Sequence, residues 1–378
     1  MKAFFAAVLL GTATFVVPAS AEDTVKLVDV VELSGAGATA GTNWRNGIDL
    51  AVAEINAKGG IFGKKIEIVH YDTQTNPGNT RAAVQRAIDE GTYVVLGPVF
   101  SGPIGASMQI AQKAGVPQFV GGEAASLTKQ GNPYLFRSSL NQADAMPKLA
   151  NWFRDELKTK SVAVVWVNND FGKGGRDSMI PELQKRGIAV AADIATESGQ
   201  ADFAADAIKV KNSGADAVFV YLNEEESARF LRAAKQQGID KPLVGETTLL
   251  GAKVIELAGD AANGVKGHVG LSVDAPIAGF KSFSDAFQAK YAYKSDHNGI
   301  KGYTSVWAIK TATEKNGSFD REALMKTMHG IRISPKDVPG ILIETKWNDV
   351  GDVDRESFLA EVKDGKQVIT KILPMIAP

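Results

Sequence analysis

The 378-residue chain contains no cysteine, which excludes disulfides, thiolate metal sites, cysteine nucleophiles and a lipid-modified N-terminal cysteine. Histidine is scarce, and His70, His268, His297 and His329 stand in no metal-ligand or triad spacing. No G-x-S-x-G surrounds Ser101 either. An exported hydrolase is therefore disfavoured, although a triad assembled in space needs no fixed spacing. With 42 basic and 43 acidic residues there is no long block of one charge, which argues against a nucleic-acid partner. After the first residues no apolar run is long enough to span a membrane, and no low-complexity linker divides the chain.

What is present begins with "MKAFFAAVLLGTATFVVPASA", a cation at Lys2, a short apolar stretch and the small-x-small ending Ala19-Ser20-Ala21. The pattern predicts a secretory signal over residues 1–21, cleaved after Ala21. An N-terminal anchor is the alternative, but Gly11 and Pro18 interrupt the apolar core and no stop-transfer charges follow. Removing Lys2 changes the formal charge from 42 − 43 = −1 to 41 − 43 = −2. A nearly neutral protein of the periplasm, or a secreted one, is expected.

Length suggests two domains. Short β-branched runs near 25–33, 65–71, 93–96 and 118–120 alternate with helical patterns at 44–58, 79–89 and 103–113, the signature of βαβ units. The pattern restarts with a helix at 145–157, a strand at 161–167, a helix to Arg186 and strands in "IAVAADI", "ADAVFVYL" and "PLVG". Helical stretches at 279–293 and 301–315 follow, then strands around a Gly-Asp turn. The expected fold class is α/β, with two doubly wound, Rossmann-like lobes of parallel strands covered by helices and joined by three crossovers. The lobes are expected at 22–141 plus 272–342 and at 142–271 plus 343–378.

The turn "LSGAGATAGTNW" places Gly35, Gly37 and Gly41 between a strand and a helix, a weak match to a dinucleotide fingerprint. A nicotinamide site also asks for an acid about 20 residues on. Asp72 comes 31 residues after Gly41, so that reading is set aside and neither cofactor nor metal is expected. The glycines serve either a tight structural turn or a ligand-lining helix N-terminus.

The segments "LSGAGATAGTNWRNGIDLAVAEINAKGGIFGKKIEIVHYDTQTNP", "VVLGPVFSGP", "AGVPQFVGGEAASLT", "PYLFRSS" and "NNDFGKGG" resemble the leucine/isoleucine/valine-binding protein family, from about Val25 onward. The resemblance implies periplasmic substrate-binding proteins of ABC transporters (type I fold), which hold a small-molecule ligand in the cleft between lobes, close by a hinge, and dock on an inner-membrane ABC permease. It implies a receptor and not an enzyme.

Under that resemblance Ser101 matches the serine that holds the ligand carboxylate, where a hydroxyl, backbone amides and a helix dipole converge on an anion; a plain N-cap serine is the bland alternative. The loop of Gly121, Gly122, Glu123 and Ala124 matches one that brackets carboxylate and amine, with Glu123 or Ala124 where the family has Ser or Thr. A carboxylate there favours a cationic group, unless Glu123 points to solvent. Phe171 falls at an aromatic ligand contact, or is packing; Asn223 falls near another contact, and Glu246 lies one residue early for the amine-binding acid. Phe100 and Thr75 stand where leucine-type members have bridged cysteines. Phe100, with Trp44 or Arg45, would line a wall suited to a flatter ligand. Ser101 with Glu123 and Glu246 favours a branched-chain-type amino acid or related amide; Phe100, Trp44 and Phe171 favour an aromatic carboxylate. A receptor that signals through a membrane sensor would use the same fold.

Overall fold

A computed structural model describes residues 24–376; the expected signal and its cleavage site lie outside the described residues. The chain opens with β1 (Thr24–Val31), α1 (Ala38–Ala57), β2 (Lys65–Asp72), α2 (Pro77–Asp89), β3 (Val94–Leu96), α3 (Ser101–Lys113), β4 (Gln118–Val120) and β5 (Leu135–Arg137). These strands form a parallel sheet in the order β2-β1-β3-β4-β5. The order reverses between β1 and β3, and open α/β sheets bind ligands beyond such a switch point.

After a first crossover at residues 138–141 come α4 (Gln142–Asp155), β6 (Ser161–Val167), α5 (Asp170–Lys185), β7 (Ala189–Thr196), α6 (Ala204–Asn212) and β8 (Ala217–Tyr221). Then follow α7 (Glu224–Gln236), β9 (Leu243–Gly245), α8 (Ala252–Ala258) and β10 (Lys266–Val269). A second crossover at 270–277 returns the chain to the first half as α9 (Ala278–Tyr291), α10 (His297–Asn316) and α11 (Arg321–Met328). A small antiparallel sheet follows, β11 (Arg332–Ile333), β12 (Thr345–Trp347) and β13 (Val353–Asp354). The third crossover, at 355–356, leads to β14 (Ser357–Lys363) and β15 (Lys366–Leu373). They complete a seven-stranded sheet ordered β15-β14-β10-β9-β8-β6-β7, with only β14 and β15 antiparallel to their neighbours.

The expected handover at 342/343 therefore falls inside the small sheet, between β11 and β12, and the large second sheet is rejoined only at Ser357. The small sheet is fastened to the end of β5: Trp347 Nε1 donates to the Arg137 carbonyl at 2.9 Å, and Arg137 Nε meets Asp352 Oδ1 at 2.6 Å.

α1 starts six residues earlier than the sequence pattern predicts, and this decides the role of the opening glycines. A Cβ on Gly41 would come within 1.9 Å of the Glu32 carbonyl, and one on Gly47 within 2.0 Å of the Gly299 carbonyl on α10. Glycine thus lets α1 press onto the end of β1 on one side and onto α10 on the other. The fully buried Trp44 sits on that inner face, where its Nε1 donates to Asp29 Oδ1 at 2.9 Å. No helix among the described residues is long and apolar enough to cross a membrane.

Candidate ligand site

The loops leaving β3, β4, β6, β8 and β9 meet the start of α10 around a half-open cavity of ≈ 30 Å³. Ser101, Phe100, Gly121, Gly122, Glu123, Phe171 and Asn223 all line it. So do Val99, Glu224, Thr248, His297, Asn298 and Lys301, which the sequence patterns did not single out.

Ser101 is the first residue of α3, and Phe100 before it offers no side-chain cap, so the helix's leading N–H groups are left for an outside acceptor. The Ser101 hydroxyl is not a plain N-cap. It accepts a hydrogen bond from Ala124 N at 3.2 Å, which leaves its proton to donate. Behind this turn the buried Glu32 carboxylate accepts from Val99 N and Phe100 N, each at 3.0 Å. That clamp fixes the entry of α3, and burial pushes the Glu32 carboxyl up to about 7.

Glu123 lines the cavity, but its charge is already met. Lys301 Nζ donates to its Oε1 at 2.9 Å and to the Gly121 carbonyl at 3.3 Å, and Tyr221 Oη donates to Oε2 at 3.4 Å. Burial raises the Glu123 carboxyl although Lys301 pulls the other way. The expected amine partner is thus an internal ion pair. The Gly122 carbonyl is also engaged, by Arg137 Nη1 and the Ser139 hydroxyl, both at 2.8 Å.

Across the cavity the ring of Phe171 stacks on Tyr221 with centroids 4.3 Å apart. Gln142 Nε2 pins that pair, donating to the Phe171 carbonyl and to Tyr221 Oη, both at 2.9 Å. Asn223 precedes α7, and its N and Nδ2 both donate to Glu226 Oε2. Glu224 then opens α7 facing the cavity. Among the described residues no other side chain hydrogen-bonds its carboxyl; its own backbone N–H does. Burial, reinforced by nearby Asp296, pushes this carboxyl up to about 8. Asp296 caps α10 by accepting from Asn298 N at 2.7 Å and Gly299 N at 3.3 Å, and burial pushes it up to about 6.

Four sequence expectations are corrected. Trp44 is sealed in the core, because α1 has already begun and turns it inward. Arg45 bonds the side chain of its neighbour Asn46 and does not line the cavity. Ala124 lies fully buried behind the loop. Glu246 also lies outside the lining: His268 Nδ1 meets its Oε1 at 2.8 Å and Thr247 N donates to its Oε2 at 2.6 Å. The missed residues His297, Asn298 and Lys301 arrive because α10 begins at His297, four residues before the predicted start. The signal was Asp296 in "SDHNG", an N-cap residue.

The halves touch beyond the cavity, where Thr39 Oγ1 donates to Glu225 Oε1 at 2.7 Å. The arrangement is a small chamber at two sheet switch points with an anion-seeking helix end on one wall and an unpaired acid on the other.

Residues 24–367 match the family described as periplasmic binding protein. The chain is 26% identical over 328 residues to the leucine-, isoleucine-, valine-, threonine- and alanine-binding protein of Pseudomonas aeruginosa, covering 86% of this chain and 87% of that one. It is similar to the branched-chain amino acid transporter substrate-binding protein of Streptococcus pneumoniae solved with isoleucine, at 27% identity and a TM-score of 0.84, covering 93% of this chain and 100% of that one. A solute-binding protein of an ABC transporter from Rhodopseudomonas palustris, solved with 3,4-dihydroxybenzoic acid, shares the fold at 23% identity and a TM-score of 0.85, covering 93% and 98%. The chain belongs to the periplasmic binding protein family.

Proposed function

We propose that this member of the periplasmic binding protein family is the solute receptor of an ABC importer, capturing an amino acid of the branched-chain type or a related zwitterion between its two lobes. One observation carries the reading: Ser101 at the uncapped start of α3 faces the same small cavity as Glu224, whose carboxyl has no cationic partner among the described residues. An α-carboxylate satisfies the first and an α-ammonium the second. Two of the three relatives above, one named for amino-acid binding and one solved with isoleucine, point the same way; the third was solved with an aromatic acid. Glu224 thereby takes the amine role that the sequence suggested for Glu123 and Glu246.

The reading carries further assignments. The signal over 1–21 delivers the chain to the periplasm, and the closed form docks on an inner-membrane permease. Lobe 1 comprises 24–141 plus 272–354, and lobe 2 comprises 142–271 plus 355–376, with the crossovers as hinge. The chemistry is capture and not turnover.

Phe100 and the stacked Phe171 line the cavity and favour a second reading, an aromatic carboxylate. A thermal-shift screen of the mature protein separates the two, because a ligand at ~100 times its dissociation constant adds about 2.7 kcal/mol of stability. Shifts with leucine, isoleucine and valine but not benzoates support the amino-acid reading. Shifts confined to aromatic acids overturn it.

A further inference from the structure

The inner cavity ends at His297, and the same residue borders a second, larger space. This groove of ≈ 490 Å³ runs between α8, the second crossover and the β14–β15 turn. Buried Leu250, Ile255 and Leu271 form its floor, while exposed Glu256 and Lys366 stand at its rim. His297 is 5% exposed and lines both spaces.

Its imidazole makes no hydrogen bond among the described residues. Its nitrogens are not among the sealed, unpartnered polar atoms, so they open onto the adjoining space, where a ligand atom takes the place of solvent on the ring. The neighbours are occupied elsewhere: Asp296 caps α10, and Lys301 is committed to Glu123 and the Gly121 carbonyl.

We propose that the inner cavity and the groove form one binding channel with His297 as the gate between them. The ligand's charged head sits between Ser101 and Glu224, and its distal chain passes His297, which hydrogen-bonds it, onto the apolar floor of the groove. The inference rests on the amino-acid reading and narrows it to α-amino acids with a long, mainly apolar side chain carrying one hydrogen-bonding group. A leucine-sized chain stops at the gate.

Calorimetric titration of the mature protein with L-leucine and L-tryptophan tests this, using wild type and two variants that obstruct the channel, Ala252→Trp on the groove wall and His297→Phe at the gate. Wild type should bind tryptophan more tightly than leucine. Ala252→Trp should weaken tryptophan at least tenfold while leucine changes less than threefold, its retained leucine binding reporting an intact fold; His297→Phe, in the wall of the inner cavity, should weaken tryptophan by more than it weakens leucine. If one variant loses both ligands, the other decides. Tryptophan and leucine moving together, or neither moving, overturns the channel. Wild type that binds leucine but not tryptophan overturns the channel and leaves the amino-acid reading standing; wild type that binds neither removes both.

Discussion

The two walls of the cavity treat buried charge in opposite ways. On the first-sheet wall two buried acids are matched by cations, Glu123 by Lys301 at 2.9 Å and, behind it, Asp352 by Arg137 at 2.6 Å, while Glu32 and Asp296 are held by backbone N–H groups. On the second-sheet wall Glu224 is as buried as its counterparts but forms no ion pair among the described residues; Lys301 acts on it only through space, and its carboxyl is pushed up to about 8. The difference separates scaffold from site. A paired buried ion is satisfied with or without ligand, whereas an unpaired carboxyl gains only when a cation arrives.

The largest test of that contrast removes one half of the matched pair. Lys301→Met leaves Glu123 buried without its ion-pair partner and should destabilise the fold by about 3–5 kcal/mol in chemical denaturation. Adding Glu123→Gln should recover most of the loss. A Lys301→Met variant as stable as wild type would mean that the pair is not a scaffold.

Glu224→Gln should act the other way round, lowering affinity for leucine by about 3 kcal/mol while the ligand-free protein gains stability. The sign follows from proton binding. Folded Glu224 keeps its proton to about pH 8, while the unfolded group loses it near its ordinary 4.5. Between those values the unfolded state holds fewer protons, so this carboxyl lowers stability as pH rises from 4.5 to about 8. The variant's melting temperature should exceed that of wild type most clearly near pH 8. Capture of an ammonium ionises Glu224, so binding near pH 7 should release a proton, visible as a dependence of calorimetric heat on the buffer. Binding heats independent of buffer would take the ammonium away from Glu224.

Ser101→Ala touches the anion end and should weaken leucine binding by roughly 1–3 kcal/mol, the loss expected when a charged group's partner is removed. Unchanged affinity in titration would remove the Ser101 hydroxyl from the site and leave the helix N-terminus to hold the carboxylate alone.

How much of this contrast was legible in the sequence depended on the range of the interaction. Local signals worked: β4 at Gln118–Val120 and β6 at Ser161–Val167 fall where their apolar runs place them. Ser101, Glu123 and Asn223, suggested by the family resemblance, all line the cavity. Helix starts were read late: the overlooked Asp296 cap cost His297, and the start of α1, which has no side-chain cap to mark it, turned Trp44 the wrong way. β5 is three residues long and gives no periodicity. The partnerships that decide the electrostatics are invisible to any local pattern. Glu123 finds Lys301 178 residues away, and Glu246 turns to His268 22 residues away on β10. Three consecutive glutamates in "NEEE" look like a solvated helix start, and only the packing of α7 against the cavity singles out Glu224.

The smallest effect concerns contact between the halves. Thr39 in the first turn of α1 donates to Glu225 in the first turn of α7 at 2.7 Å. Both residues are half-buried at the edge of the cleft, so the bond contributes about 0.5–1.5 kcal/mol. Under the proposed hinge closure the bond belongs to the closed form. Thr39→Ala should therefore weaken leucine binding roughly three- to tenfold through faster dissociation, with the association rate unchanged. Stopped-flow measurement separates the two rates. Slower association with unchanged dissociation would show that Thr39 acts on the open protein, where neither wall yet faces the other, and the bond would then belong to entry and not to closure.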